Sequence, residues 1–282
     1  MARPAFLRTP MAPGPSVLPG PVRAGSFGLE SQSAPWKFTL LHDRPDHLLL
    51  WITRGQGRVI VNGVRRGIGL HCALFLPAGT LFSLDLPVGT QALVVQCPAG
   101  LTGRMPRQSL LLRVPDSLAQ AELTGLIDTM SRELQQKRPL MAEAIAAHCQ
   151  LVAVWLHRQL AAGRADPGED GASHRLARRY AQRLIRGYRS ARNVADYASD
   201  LDVTPTHLTR ICKRTCGMTA AEMLTERRLH AARLMLEAPG QPVKDIAAAL
   251  GFASPAYFTR FIQHQTGKSP SALRASAPSR TR

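Results

Sequence analysis

Arg210 and Arg260 stand fifty residues apart in settings that nearly match. Thr209-Arg210 and Thr259-Arg260 each follow a Thr/Ser-Pro pair and each run toward a glycine, Gly217 or Gly267. A guanidinium is a planar, permanently charged fork of donors that fits guanine O6 and N7 or a pair of phosphate oxygens. The neighbouring threonine adds a hydroxyl and a methyl, and the methyl suits the thymine methyl. This is chemistry for holding a polyanion rather than for breaking bonds. The chain carries no G-x-S-x-G, no P-loop and no H-E-x-x-H, so no catalytic residue is assigned.

The elements that must position the two arginines form a repeat. The first copy runs Val194-Ala-Asp-Tyr-Ala198, Leu201, Thr204-Pro205, Leu208-Thr209-Arg210 and Gly217; the second runs Val243-Lys-Asp-Ile-Ala247, Leu250, Ser254-Pro255, Phe258-Thr259-Arg260 and Gly267. The offset is 49 residues before the turn and 50 after it, so the second turn is one residue longer. Each copy predicts a short helix, a tight turn and a second helix capped by Thr204 or Ser254, with proline at its first position and glycine at its end. That is the grammar of a helix-turn-helix. Leu208, Ile211 and Cys212 give one second helix a buried face, and Phe258, Phe261 and Ile262 the other. Between the copies, Ala220–Glu237 has no Gly or Pro and predicts a helix spanning roughly 27 Å. A connector of that length can hold two helices about one DNA turn (~34 Å) apart.

Charge agrees. The chain has 282 residues and a net charge of +17, and from His174 onward 19 Lys+Arg face 7 Asp+Glu. A basic domain attracts polyanions, and double-stranded DNA is the expected partner. Arg175, Arg179 and Arg183 recur every four residues, as phosphate contacts or as a solvated face. No apolar run approaches the ~18–20 residues that span a bilayer, so no membrane is expected. Arg3 and Arg8 precede six prolines by Pro21 rather than an apolar stretch, so no signal peptide is expected. Cys72, Cys97, Cys149, Cys212 and Cys216 are odd in number and form no C-x-x-C, which suits a reducing cytoplasm and cysteine used as a small apolar residue.

The remaining chain divides by composition. Residues 1–35 are rich in Pro, Gly and Ser and read as a mobile arm. Residues 36–115 read as a β domain with short strands over 36–97: Trp36–His42, His47–Arg54, Arg58–Val61, Cys72–Leu76, Leu81–Leu86 and Gln91–Gln96, with Asn62-Gly63 as a hairpin turn. Their spacing suggests a small barrel or sandwich. Residues 116–162 hold two amphipathic helices split near Pro139. Their seams are Leu123, Ile127, Met130 and Leu134, and Met141, Ile145, His148, Val152 and Trp155. Such seams serve packing on the barrel, a dimer interface, or both. Residues 163–173 are a polar linker, 174–275 the double helix-turn-helix and 276–282 a disordered tail.

With these elements in place, Asp245-Ile-Ala-Ala-Ala-Leu-Gly-Phe252, Tyr257-Phe-Thr-Arg-Phe261 and Thr266-Gly-Lys-Ser-Pro270 resemble the hallmark of the AraC/XylS family of transcription regulators. Arg227-Arg228-Leu229, Ala232 and Leu236 resemble its linker helix, and the likeness covers about 176–274. Ala220 departs where the family usually has Pro, and Leu273 where an aromatic is usual. The resemblance implies base reading by Thr206, Thr209 and Arg210 and by Ala256, Thr259 and Arg260. A phosphate contact or a surface ion pair is the alternative for each arginine. Backbone contacts fall to Thr204, Lys213, Arg214, Ser254, His264 and Lys268.

The resemblance also implies an α+β multidomain fold, with a cupin-like β-barrel and dimerisation helices ahead of an all-α double helix-turn-helix. It implies a cytoplasmic, nucleoid-associated homodimer that works with RNA polymerase, as an activator by family tendency. It further implies a small effector in the barrel. A looser likeness to regulators of aromatic-acid catabolism suggests an aromatic acid. Trp51, Arg54, Arg58, His71 and Phe82 are the candidate pocket; the alternative places the aromatics in the core and the arginines on the surface. A regulator without ligand, controlled by abundance or a protein partner, is the rival. A metal-dependent cupin enzyme is more remote. It would need H-x-H followed by Glu and a later His, whereas His42, His47 and His71 are scattered and Thr80-Leu-Phe82 follows Pro77-Ala-Gly79. No metal or cofactor is assigned.

Overall fold

The computed structural model describes residues 22–28, 34–168, 170–238 and 240–276. Most of the arm expected over 1–35, and 277–282 of the expected tail, lie outside the described residues. The first half holds β1 (Arg23–Ser26), α1 (Trp36–Thr39), β2 (Asp46–Arg54), β3 (Gln56–Val61), β4 (Val64–Gly69), β5 (Cys72–Leu76), β6 (Phe82–Asp85), β7 (Gln91–Pro98) and β8 (Leu110–Arg113). Helices α2 (Ser117–Gln136) and α3 (Met141–Ala161) follow. The second half holds α4 (Ala172–Gly187), α5 (Val194–Ser199), α6 (Pro205–Cys216), α7 (Ala220–Glu237), α8 (Val243–Ala249), α9 (Pro255–Thr266) and α10 (Pro270–Ala275).

The strands form two sheets, β1-β7-β2-β5-β8 and β4-β3-β6, so the expected barrel is not closed. Other elements cover its edges, which removes the need for a closing strand. At the β8 edge, the Arg113 amide donates to the Arg164 carbonyl (3.0 Å) and the Asp166 amide to Leu111 (2.8 Å). Leu48, Leu50, Ile52, Leu74, Leu76, Val59 and Phe82 fill the space between the sheets. Leu49, Trp51, Ala73, Phe75, Val95 and Cys97 belong to a separate core shared with α2 and α3. β2 is therefore covered on both faces, and so it reads as an apolar run without alternation. Val61 pairs with Val64 across Asn62-Gly63, and both turn residues have positive φ (49° and 75°), as a two-residue hairpin requires.

Two expectations are corrected near the start. Residues 23–26 of the expected arm pair with β7 as strand β1. The strand expected over Trp36–His42 is instead the helical turn α1 followed by extended Leu40 (ψ 145°). Pro35 opens this turn with φ −54°, already in the helical range. Packing then fixes it: Phe38 sits edge-on to Phe27 at 4.7 Å, and Leu41 enters the core of the second half.

The seams of the helical pair are spent inward. Leu123, Ile127, Met130, Ile145, Val152 and Trp155 are all buried in the core under the five-stranded sheet, with Leu134 and Met141 packed at its margin. The Trp155 indole donates to the Ala119 carbonyl at 2.9 Å. Any self-association through these helices must use their outer faces.

Candidate nucleic-acid interface

α5 and α6 form one helix-turn-helix; α8 and α9 form the other. The caps are those the sequence predicts. Thr204 Oγ1 accepts from the His207 amide (3.1 Å) and Ser254 Oγ from the Tyr257 amide (3.2 Å). Gly217 and Gly267 end the helices with φ of 83° and 70°, the left-handed conformation that closes a helix without a Cβ penalty. Leu208, Ile211 and Cys212 are buried under α6, and Phe258 and Ile262 under α9, while Phe261 is half-buried. Cys212 and Cys216 are core thiols, with Cys216 Sγ donating to the Cys212 carbonyl at 3.2 Å. Burial pushes the Cys212 thiol up to about 12, so it stays protonated at neutral pH.

Thr206 and Arg210 are exposed on α6, and Ala256 and Arg260 on α9; Thr209 and Thr259 are half-buried beside them. Among the described residues no ion pair is recorded for Arg210 or Arg260, and Arg210 touches only the His207 ring, at 3.1 Å. Two uncommitted guanidinium groups therefore stand on matching helical faces. Thr259 donates its hydroxyl to the Pro255 carbonyl (2.9 Å). Thr204, Lys213, Arg214, His264 and Lys268 are exposed, and Ser254 is half-buried. On α4, Arg179 and Arg183 are exposed; Arg183 lies 3.9 Å from Asp200 and Arg175 donates to the Asp170 carbonyl.

Arg228, on α7, makes the two halves of the interface one body. Its Nε donates to the Tyr188 carbonyl (2.9 Å), and its Nη2 to Ser190 (2.6 Å) and Arg192 (2.9 Å). These carbonyls lie between α4 and α5. Against the same stretch packs the turn of the second motif: a Cβ at Gly251 would come within 2.3 Å of Ser190 carbonyl carbon. Arg228 was legible as part of a family motif, but nothing in its sequence setting announces three backbone acceptors. The departures from the family pattern are absorbed by packing. Ala220 is buried and its carbonyl accepts from Tyr180 hydroxyl (2.7 Å), and Leu273 is buried too.

The first half grips α7 along one face. Leu41 amide donates to Glu226 (3.0 Å), Arg227 pairs with Asp43 (2.5 Å), His42 and His230 stack at 4.3 Å and 12°, and Arg233 lies over Trp36 at 4.1 Å. Arg227 is 5% exposed and also lies over the Tyr188 ring at 3.7 Å. The β3–β4 hairpin touches α6, where the Thr215 hydroxyl donates to the Gly63 carbonyl (2.8 Å). Burial lowers His42 to about 3 and His230 to about 2, aided by the charges of Arg44 and Arg227. Both rings are thus neutral at neutral pH.

The candidate effector residues do not converge. Trp51 and His71 come together, ring to ring at 6.2 Å, and the Trp51 indole donates to Thr124 on α2 (3.2 Å). Phe82 is buried between the sheets against His42 at 4.2 Å. Arg54 is exposed, and Arg58 pairs with Asp85 at the surface (3.3 Å). The histidines are dispersed as well: His47 accepts from the Ala78 amide (3.1 Å), far in role from the other two. Among the described residues no group of three or more His, Cys, Asp or Glu is placed to hold a metal. No helix of the described chain is long and apolar enough to cross a membrane.

A family model described as a helix-turn-helix domain matches residues 197–276. Over 245 residues the chain is 25% identical to the uncharacterized HTH-type transcriptional regulator YidL of Escherichia coli K12, covering 79% of this chain and 73% of that protein. It is 26% identical over 83 residues to the arabinose operon regulatory protein of the same strain, covering 29% of this chain and 28% of that one. Among solved structures, apo ToxT K231A from Vibrio cholerae strain SCE256 matches with a TM-score of 0.43 and 13% identity, over 91% of this chain and 97% of that chain. The match spans most of the first relative but under a third of the arabinose regulator. With its duplicated, capped helix-turn-helix around a long connecting helix, the second half of this chain is similar to the DNA-binding region of AraC-type transcriptional regulators.

Proposed function

We propose that the protein is a sequence-specific regulator, an activator working with RNA polymerase, whose sensor half responds to a small effector and whose DNA-binding half engages two successive major-groove segments. The observation that carries this reading is the pair of uncommitted arginines, Arg210 and Arg260, on matching faces of α6 and α9. Thr206, Thr209, Ala256 and Thr259 are the remaining base-facing positions, and Thr204, Lys213, Arg214, Ser254, His264 and Lys268 are the phosphate-facing ones. Small companions make each face a modest reader, so dimerisation supplies the remaining specificity. The interface for it is the outer face of α3, where Ala144, Ala147, Leu151 and Val154 follow the N-cap residue Leu140 at steps of 4, 3, 4 and 3. Such a stripe suits a helix pairing with its twin.

Effector control acts through the grip on α7 and through the linker. Genome-wide footprinting of the protein, with and without a panel of small molecules, tests the reading. Discrete protected sites whose occupancy or expression changes with one compound are expected. Uniform, sequence-independent coverage would refute base reading, and sites indifferent to every compound would favour control by abundance or by a protein partner. A ten-residue insertion within 167–171 should leave footprints in place and abolish the response.

A further inference from the structure

We propose that the cleft where the linker leaves the sensor half binds a carboxylate borne on an apolar body. The cleft holds about 670 Å³, within the usual range of small-molecule sites. Arg113 and Arg164 stand on it together with His71, and Leu70, Val114 and Pro167 supply apolar wall. It is separate from the dispersed group Trp51, Arg54, Arg58 and Phe82, sharing only His71 with the pocket expected from the sequence.

The backbone builds this cleft firmly. His71 holds φ at 58°, an uncommon conformation for a residue with a side chain. Its amide donates to Ile52 (3.1 Å), and its carbonyl accepts from Val114 (3.0 Å). The Arg113 amide donates to the Arg164 carbonyl (3.0 Å), so the two arginines are rooted side by side on paired backbone. Leu112 and Ala165 form the adjoining bridge.

Charge in the cleft is unbalanced. Asp166 is the single carboxylate recorded there, and it is committed to Arg66 at 2.8 Å while only grazing Arg113 at 3.9 Å. Among the described residues Arg164 has no ion pair recorded. Arg113 and Arg164 thus face a cleft whose carboxylate is already held by Arg66, and a second anion has donors waiting. Leu70, 54% exposed at the rim, is a large apolar surface beside those donors. An anion alone would not need it; an amphiphilic acid would.

The cleft lies across the linker that joins the two halves. An acid drawn to Arg113 and Arg164 changes the charge facing Asp166, whose amide ties the linker to β8. Binding is therefore felt in the segment that leads to α4. This consequence rests on the reading that the sensor half takes an effector, whereas the binding itself does not.

Calorimetric titration of the full chain with hexanoate, and with hexan-1-ol as its neutral counterpart, tests the site. Saturable binding of one hexanoate per chain is expected, with none for the alcohol. The R113Q/R164Q double variant should weaken it at least tenfold, while R54Q/R58Q leaves it unchanged. All four positions are solvent-facing, and an unchanged melting temperature verifies that each variant folds. No saturable hexanoate binding, equal binding of hexan-1-ol, or full affinity in R113Q/R164Q overturns the proposal. The two readings fail separately. If hexanoate binds through the arginines but no acid alters DNA binding, the site stands and effector control falls. If an effector found by screening acts equally on R113Q/R164Q, effector control stands and the site falls.

Discussion

Arg210 and Gly251 show how single residues carry unlike burdens in this protein. Arg210 is exposed and bound to little else, so its removal leaves the fold intact and takes a fork of donors from the groove. Arg210→Ala should weaken operator binding by about 1–3 kcal/mol and relax preference at one position; gel-shift titration against the operator and its single-base variants reads both. Equal affinity and equal selectivity would reassign Arg210 to the surface. Gly251 carries no chemistry at all. Its φ is 72°, and a Cβ would strike the backbone at Ser190. Gly251→Ala therefore adds left-handed strain to overpacking, about 2–4 kcal/mol together. Gly267 has the same sign of φ but open space around it; Gly267→Ala should cost only ~1 kcal/mol. Thermal melting of the two variants separates clash from strain. Near-equal losses would mean that the turn of the second motif relaxes away from Ser190.

At the scale of elements, the regular parts were legible and the borrowed ones were not. α7 spans Ala220–Glu237 and the caps fall at Thr204 and Ser254, because capping and periodicity are local and each signal lies within a few residues of its effect. β5 occupies Cys72–Leu76, the apolar run between turn residues. β1 and α1 went unread because tertiary partners decide them: β1 exists by pairing with β7, and Leu41 is drawn into the other half. β8 likewise depends on β5 and the linker. The candidate DNA face follows from the repeat, whereas the effector group scattered because Trp51 and Phe82 enter different cores while Arg54 and Arg58 face solvent. The helical pair illustrates the ambiguity most sharply, since a heptad seam looks the same whether its partner is a sheet or a twin. With the inner seams consumed, Leu151, 49% exposed, becomes the centre of the proposed dimer stripe. Leu151→Glu puts a charge there without touching the core, and should shift sedimentation from dimer to monomer at micromolar concentration. A wild-type chain that sediments as a monomer, or a variant that still dimerises, would remove α3 as the interface.

At the scale of the whole molecule, the grip of the first half on α7 has a built-in acid dependence. His42 and His230 lie face to face at the seam, held far below the ordinary imidazole value by burial and by Arg44 and Arg227. The docked form therefore takes up fewer protons than an opened form, whose histidines titrate near 6.5. Docking is fully present above that value and weakens as pH falls through 6.5 toward about 3. Each histidine contributes on the order of 1.4 kcal/mol per pH unit within that window. Glu226 opposes this trend, one group against two: burial raises its carboxyl, so acid relieves its cost. Between pH 7 and pH 5.5 the histidines dominate, and the two halves should separate while each keeps its own core. Hydrogen exchange resolved by peptide would show faster exchange in 36–43 and along α7, with α2 and α3 unchanged, and H42F/H230F would flatten the dependence. If α7 exchanges at the same rate at both pH values, the seam does not govern docking. If the whole chain exchanges together, the two halves unfold as one unit and the connector is not an independently releasable element.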